Sequence, residues 1–416
     1  MKTSPDNPRE PKHHLQRIKA KGFFYWINVL ILIVVGIPIG SWLDEQQVGM
    51  QTRYALFHFV TNKLTPPAAT TQTIVLPITN DEYWKGILAR RVPIKRDYLG
   101  KLVRSLATAE PKLIAVDFDL RSPMPNGSLK EHSDYRQETE EFLKAVKEVS
   151  KHIPIVLPST IAGDGEFGIY RADPAIYDNY DFEGGMVKVG YINLPYDYRK
   201  VPLAVHFREG KKQDSFSQAI VRFVKEEQLQ PVLDLEKAPY GGYIAESNFQ
   251  KVLPSELLDS SANPISINVD TVNKLRGNIV IIGAGWSRAA YGRGGLIDTH
   301  LTPAGPLSGV YVHANFVEAL LSRRVGEGWG EKLLIPIDIV VALLVVLIFV
   351  LAKRFWIQAL LILLLFVLLL VFSYFSWRNL GYFFDSFTIS VLVFGHATYE
   401  EIRERFSHRS HQEAKG

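Results

Sequence analysis

The sequence predicts an α/β domain outside the cytoplasm and an α-helical membrane region with one N-terminal and three C-terminal transmembrane helices. Two observations predict this architecture. The chain contains four apolar runs of 18 to 23 residues, and about 20 apolar residues are enough for a helix to cross ~30 Å of hydrocarbon. Between the first and second runs, strand-like and helix-like segments alternate, which is typical of an α/β sheet.

The four apolar runs are predicted to be transmembrane helices, at residues 23–42, 333–351, 355–377 and 382–399. The first and third contain no charged residue, whereas the second contains Asp338 and the fourth contains Asp385. The first run has a basic flank, as a cleaved signal peptide does. Its apolar core is longer than that of a signal peptide, and no A-x-A-like cleavage site follows it. We therefore expect an uncleaved anchor.

Basic residues predict the orientation of the spans, because lysine and arginine accumulate on the cytoplasmic side. They are found in residues 1–22, in the link between the second and third runs, and in residues 400–416. These segments fall on one side if all four runs span. We therefore expect a basic cytoplasmic tail at 1–22, an external segment at 43–332 and a short cytoplasmic tail at 400–416. The chain is predicted to be a multi-pass protein of the bacterial inner membrane, with a periplasmic domain.

The composition excludes several classes of protein. Lys and Arg together number 47 and Asp and Glu 43, so the formal net charge is +4. This small charge argues against a nucleic-acid partner. The chain has no cysteine, which excludes disulfides, thiolate metal sites and a cysteine nucleophile.

Apolar periodicity predicts the elements of the external segment. Residues 43–64 are predicted to continue the first span as a helix. Strands are predicted at 74–78, 113–118, 153–157, 187–194, 265–269 and 278–283. Helices are predicted at 98–108, 139–149, 216–225 and 310–322.

Several sequence blocks follow one another between residues 74 and 324: ITNDEYW, PKLIAVDFDL, GYINLPYDYRKVPL, SFSQAI, RGNIVIIGA, DTHLTP and GVYVHANFVEALLSRR. In this order they resemble the CHASE2 domain, an extracytoplasmic sensory module of bacterial signalling receptors. The resemblance implies a membrane receptor that senses a signal outside the cytoplasm. The family also places one helix before this domain and commonly three after it, which agrees with the four apolar runs.

One departure from the family pattern affects the expected output. Familiar members carry a kinase, cyclase or other catalytic domain after the last span, whereas 400–416 are the residues that follow the fourth run here. We therefore expect no enzymatic activity, and we expect a separate output protein to carry the signal.

Candidate ligand-binding residues lie where predicted strands and helices end or begin. Asp117 and Asp119 end a strand, Asp298 precedes the last helix, and His313 and Asn315 lie at the start of that helix. Ligands of open α/β sheets bind at the carboxyl ends of strands. The three carboxylates are suited to a divalent cation, but they also suit capping and loop hydrogen bonds, and we expect no metal and no cofactor. Packing or capping is the favoured role of His313 and Asn315, since no G-x-S-x-G nucleophile motif is present.

The glycine-rich segment GAGWSRAAYGRGG at 283–295 follows a predicted strand. A dinucleotide-binding G-x-G-x-x-G motif requires glycine at its last position, which is Arg288 here. An anion-binding backbone nest beside Arg288 remains open, although a structural glycine loop is favoured.

Three charged residues lie toward the outer ends of the predicted C-terminal spans: Asp338, Arg378 and Asp385. Charged groups within a membrane are usually paired and face the interior of a helix bundle. We expect Arg378 to pair with one or both aspartates and to hold the helices together. An ion or proton pathway is the alternative.

The sequence leaves three classes of function open. The favoured class is a sensor subunit, with a bilayer, an extracytoplasmic ligand of unknown identity and an output protein as its partners. We expect this subunit to be oligomeric. The second class is an oligomeric membrane pore or effector, and the third is an enzyme anchored at the periplasmic face.

Overall fold

The computed structural model describes residues 47–63, 71–122, 135–164, 169–207, 210–225, 237–239, 242–286, 298–322, 355–380 and a few residues between 325 and 348. The chain divides into two compact units. The external unit is Thr61–Glu327, and the membrane unit comprises Met1–Val60 and Gly328–Gly416.

A six-stranded parallel sheet forms the centre of the external unit. Its strands are β1 (Thr73–Ile78), β2 (Leu113–Asp117), β3 (Ile155–Ser159), β6 (Val187–Tyr191), β11 (Gln250–Lys251) and β12 (Ile279–Ala284). They lie in the order β11-β1-β12-β2-β3-β6. The central strands β1, β2 and β12 are buried at every residue. Their continuous apolar runs are what a parallel sheet covered on both faces requires.

Helices cover both faces of this sheet. The helices are α2 (Arg96–Ala107), α3 (Tyr135–Ser150), α4 (Phe216–Val224), α5 (Val269–Leu275) and α6 (Gly309–Leu321). Alternate strand residues such as Ile114 and Val116 belong to the hydrophobic core beneath α2 and α3. The intervening residues, among them Asp117, therefore face the opposite layer, where α4 packs against α6.

Short antiparallel ladders form separate two-stranded sheets outside the parallel sheet. They are formed by β4 (Ile161–Asp164) with β5 (Ile169–Ala172), β7 (Lys200–Pro202) with β10 (Lys237–Pro239), β8 (Ala204–His206) with β9 (Lys212–Asp214), and β13 (Thr299–Thr302) with β14 (Gly305–Ser308). The last hairpin leads directly into α6, so it fixes where that helix begins.

The predicted α/β class is confirmed, and most predicted elements of the external unit are found within a few residues of their expected bounds. The strand predicted at 265–269 is wrong. Asn268 instead caps α5, accepting a hydrogen bond from the backbone N–H of Thr271 at 2.7 Å. Ile265 and Val269 are exposed, so the apolar pattern there does not mark a buried strand.

The membrane unit contains α1 (Gln47–His58) and α7 (Phe355–Leu380). A π-helical turn, Phe59–Lys63, follows α1 and includes the first residues of the external unit. Within α7, Trp356–Arg378 is long and apolar enough to cross a membrane, which agrees with the predicted span at 355–377. It is the one such helix among the residues that the structure describes. The predicted spans at 23–42 and 382–399, and most of the one at 333–351, lie outside the described residues.

Within the membrane unit, α1 contacts α7 through an aromatic pair. The rings of Phe57 and Trp377 meet edge-to-face, with their centroids 6.2 Å apart. Both side chains are buried. This geometry stabilises aromatic pairs by ~0.5–1.5 kcal/mol beyond the area that they bury, so it holds the two helices together at this point.

Candidate functional site

The candidate site lies where β2 and β12 end, at the carboxyl edge of the parallel sheet. Asp117 is the last residue of β2, and Gly283 is its partner in β12. A Cβ atom at Gly283 would lie 2.6 Å from Cβ of Val310 and 3.2 Å from Oδ2 of Asp117. The glycine therefore allows α6 to approach the sheet and leaves room for the carboxylate beside it.

His313 of α6 faces Asp117 across this contact. Its Nε2 lies 3.7 Å from Oδ1 of Asp117, and the two side chains are 3% and 7% exposed. The ring of Phe216, at the start of α4, packs edge-to-face on the imidazole with a centroid distance of 5.2 Å. Two polar side chains are thus enclosed between the sheet and the two helices.

Each side chain of this pair has a buried polar atom without an ordinary hydrogen bond. Among the described residues, Oδ2 of Asp117 is buried without a hydrogen-bond partner. Nδ1 of His313 makes no hydrogen bond of ordinary geometry, although the backbone of Ile192 lies close enough to affect its pKa. A buried polar group without a partner costs ~1–3 kcal/mol. Such groups are rare in folded proteins, and they are concentrated where function requires them.

Burial drives both members of the pair toward their neutral forms. It raises the pKa of Asp117 well above its ordinary value, and the negative charge of Asp298 acts in the same direction. It lowers the pKa of His313 to about 4, and His300 adds to this effect, whereas Asp298 and the backbone of Ile192 oppose it. Near neutral pH the imidazole is therefore neutral, and burial favours the protonated form of the carboxyl group beside it.

Three further polar residues form a hydrogen-bonded group near the pair. Oδ1 of Asp298 lies 2.6 Å from Nε2 of His300, and Nδ1 of that ring lies 2.7 Å from the hydroxyl group of Tyr198. The side chains of Asp298 and His300 are 43% and 26% exposed. Together with Asp117 and His313, these residues form what we call the polar cluster.

Asp298 is held against the start of α6. The backbone N–H of Gly309 donates to the carbonyl oxygen of Asp298 at 2.9 Å. A Cβ atom at position 309 would lie 2.1 Å from the Asp298 carboxylate, so only glycine allows this approach. The carboxylate is therefore fixed at the first residue of the helix that carries His313.

The structure brings together Asp117, Asp298 and His313, but it directs Asp119 elsewhere. The strand ends at Asp117, so the rule that residues i and i+2 share a face does not extend to Asp119. The exposed carboxylate of Asp119 pairs with Arg121 at 2.5 Å. Among the described residues, no group of three or more His, Asp or Glu side chains is arranged to hold a metal ion.

The other predicted site residues have different surroundings. The amide group of Asn315 is engaged within the fold: its Oδ1 accepts from the N–H of Ile244 at 2.7 Å, and its Nδ2 donates to the carbonyl oxygens of Ile244 and Tyr311. Arg288 lies outside the described residues. Gly285 belongs to the same glycine-rich segment, and a Cβ atom there would lie 2.5 Å from Cβ of Pro77. The described part of this segment thus has a packing role.

Sequence reasoning missed His300 and Tyr198. The block DTHLTP contained a usable signal, because Asp298 and His300 are two residues apart on either side of the first residue of β13. Tyr198 had no comparable signal, since it reaches His300 from a loop 102 residues away.

Of the three residues of the predicted membrane charge cluster, the structure describes Arg378. Arg378 lies near the end of α7, where its Nη1 donates to the hydroxyl group of Tyr374 at 3.3 Å. Asp338 and Asp385 lie outside the described residues. Their pairing with Arg378 stays a prediction.

Comparison with known families identifies the external unit. The family model of the CHASE2 domain matches residues 29–352. This chain belongs to the CHASE2 family. CHASE2 domains are extracytoplasmic sensory domains, so the family supports a sensory role in general. The comparisons with curated proteins and with solved structures found no significant match.

Proposed function

We propose that this CHASE2 protein is a membrane-anchored sensor subunit that binds its signal at the polar cluster and transmits the change through its membrane helices to a separate output protein. One observation carries the proposal. A buried aspartate and histidine, with an unpartnered carboxylate oxygen, face each other at the carboxyl edge of a parallel sheet. That edge is where open α/β folds bind their ligands.

The position of α6 supports transmission from this cluster. His313 lies in the first half of α6, and the helix ends at Leu321. The apolar run that is predicted to be the second span begins at Leu333. A change that moves His313 therefore acts on the element that precedes this span in the chain.

A buried hydrogen bond joins the two ends of the external unit. The backbone N–H of Thr73, at the start of β1, donates to Oε1 of Glu318 in α6 at 2.7 Å. Thr73 follows the predicted first span in sequence, and Glu318 precedes the predicted second span. A displacement of α6 therefore acts on both segments that lead to the membrane, the one after the predicted first span and the one before the predicted second span. A coupling of ~1–3 kcal/mol between the site and the helices would be enough for a switch.

The proposal includes the membrane arrangement that the sequence predicts. Four spans place both termini in the cytoplasm and the CHASE2 domain outside the inner membrane. The family and the candidate span in α7 support a membrane location. In this arrangement Arg378 pairs with Asp338 or Asp385 and ties the C-terminal helices together.

A spectroscopic reporter in α7 tests whether the cluster controls the membrane helices. The chain has no cysteine, so Trp356→Cys gives one attachment site for a nitroxide label, at an 80% exposed position near the start of α7. The Asp117→Asn variant replaces the carboxyl group with a neutral amide of similar shape. In nanodiscs it should change the line shape of the label.

Asp119→Asn is the matched control, because it makes the same chemical change at an exposed carboxylate two residues away. It should leave the line shape unchanged. The proposal would be contradicted if Asp117→Asn also left the spectrum unchanged, provided that its circular dichroism matches that of the labelled parent.

The output protein is tested separately, by purifying the intact chain in mild detergent and measuring its native mass. A second protein in a fixed ratio, whose retention Asp117→Asn alters, supports the proposal. A homo-oligomer without another protein contradicts the part of the proposal that concerns the output, and conductance in liposomes would then test the pore.

A further inference from the structure

We propose that the signal is a proton: acidification outside the membrane adds a proton to the buried Asp117–His313 pair by way of Asp298 and His300. This inference rests on the proposed sensor function and names the ligand of the same site. It is argued from the space around the pair, the groups that connect it with solvent, and the position of Asp298 on α6.

The surroundings of the pair favour a ligand of very small size. Phe216 packs on the imidazole. Beside the carboxylate of Asp117, Gly283 packs so closely against Val310 that a Cβ atom at Gly283 would meet both Val310 and Asp117. Both polar side chains are more than nine-tenths buried. A proton can reach their unpartnered atoms without displacing these neighbours, whereas a larger ligand would have to open the contact between α6 and the sheet.

The pair can accept one more proton than it holds near neutral pH. Because the imidazole of His313 is neutral there, the vacant site is one of its ring nitrogens. Uptake forms one N–H bond there and breaks one bond to hydrogen in the donor, which is a hydronium ion of the solvent in the overall step. The product is a buried imidazolium, and the nearby negative charge of Asp298 favours it.

The connecting groups extend from solvent to the first turn of α6, where the Asp298 carboxylate lies against Gly309, four residues before His313. Asp298 and His300 are both partly exposed and lie within hydrogen-bond distance of each other. Asp298 also acts electrostatically on both members of the buried pair. In the proposed route a proton passes from His300 to Asp298 and then to His313.

The groups that face the pair come from several elements. Titratable groups are supplied by β2, by the residues at the start of β13, and by the loop that carries Tyr198. From α4 come the ring of Phe216 and the hydroxyl group of Ser217, which donates to the backbone carbonyl oxygen of His313 at 3.5 Å. The end of β6 presents the backbone of Ile192, and β12 presents Gly283. Among these groups, Asp298 is the carboxylate whose charge favours the imidazolium form of His313.

Protonation has a definite structural consequence. An imidazolium at His313 attracts the Asp298 carboxylate, which lies against Gly309 and immediately precedes the β13–β14 hairpin. The hairpin and the first turn of α6 should therefore be drawn together in acid. Because α6 leads toward the second predicted span, this change is the one that the sensor would transmit.

Hydrogen exchange of the full chain in nanodiscs tests the proposal, at a series of pH values between 7.5 and 4. Rates are corrected for the intrinsic effect of pH on amide exchange. Peptides that cover the hairpin and the start of α6 should gain protection in acid against exchange through local openings, by a factor on the order of ten. This local gain is separate from the global free energy of unfolding, which falls in acid because burial disfavours the imidazolium. The His313→Gln variant should lose this gain. His152→Gln, at an exposed position on the same domain, should keep it.

Asp298→Asn provides a second variant at a partly exposed position, and it should weaken the gain in protection without preventing folding. The proposal is overturned if the parent shows no gain in acid, or if His313→Gln and Asp298→Asn both retain it in full. It is also overturned if the acid response is confined to peptides outside the hairpin and α6.

The outcomes separate this inference from the sensor proposal. If Asp117→Asn changes the label at position 356 but acid does not protect the hairpin, the sensor stands and the proton is not its ligand. If acid protects the hairpin through His313 but no change reaches the label, the proton site stands and the sensor proposal fails.

Discussion

The pH dependence of stability gives a direct measure of how firmly the fold holds His313 in its neutral form. In the native domain the pKa of His313 is about 4, against an ordinary value of 6.5. Between these two values the unfolded chain binds more protons than the native one. The free energy of unfolding should therefore fall as the pH falls from 6.5 to 4.

The size of this loss follows from the two pKa values. Each pKa unit corresponds to ~1.4 kcal/mol, so the contribution of His313 to the free energy of unfolding should fall by roughly 3 kcal/mol when the pH reaches 4. Asp117 acts in the opposite direction. Because its native pKa is raised, its contribution is largest in acid and is lost as the pH rises above its unfolded value.

The assay is urea unfolding of the external unit in nanodisc-embedded protein, followed by the change in tryptophan fluorescence, to which the buried Trp84 and Trp286 of this unit contribute. Comparing the parent with His313→Gln isolates the histidine, because Asp117 is present in both. The variant should lose roughly 3 kcal/mol less than the parent between pH 6.5 and pH 4.

His152→Gln is the control. Replacing this exposed histidine should leave the change of the free energy of unfolding with pH as it is in the parent. If the parent and His313→Gln gave parallel profiles over this range, His313 would not be held neutral by the fold. The electrostatic account of the polar cluster would then be wrong.

Three further predictions concern packing. Gly283→Ala should cost ~1–3 kcal/mol of stability, because the new methyl group meets Val310 at 2.6 Å; in urea unfolding, the double variant with Val310→Ala should lose less than the sum of the two single losses. Asn315→Ala should lower the free energy of unfolding by roughly 2–4 kcal/mol, since it leaves buried main-chain groups without their partner; a loss below ~0.5 kcal/mol would contradict this role. Trp377→Leu should speed hydrogen exchange in α1 because it removes the aromatic pair with Phe57, whereas Trp377→Phe should not; equal rates in both variants would contradict it.

The central strands of the domain could be predicted from the sequence because they are buried on both faces. β1, β2 and β12 appear as uninterrupted apolar runs that leave little ambiguity. The same reasoning failed at 265–269, where β-branched apolar residues are exposed in a loop and at the start of a helix. Apolar periodicity shows what could be buried, whereas the cap at Asn268 decides the local structure.

The candidate site could be predicted in part. Asp117 and His313 were selected because one ends a strand and the other begins a helix, and the fold brings them together. Their mutual distance depends on strand register and on Gly283, which a single sequence does not reveal. Asp119 was grouped with Asp117 because the strand was expected to continue, but a turn directs its carboxylate toward Arg121.

The most direct test of the account is whether acid reaches the membrane helix through His313. The nitroxide at position 356 is observed in nanodiscs at pH 7.5 and at pH 4, in the labelled parent, in His313→Gln and in His152→Gln. The account predicts a change of line shape in the parent and in His152→Gln, and none in His313→Gln. An unchanged spectrum in the parent, or the same change in His313→Gln, would contradict it.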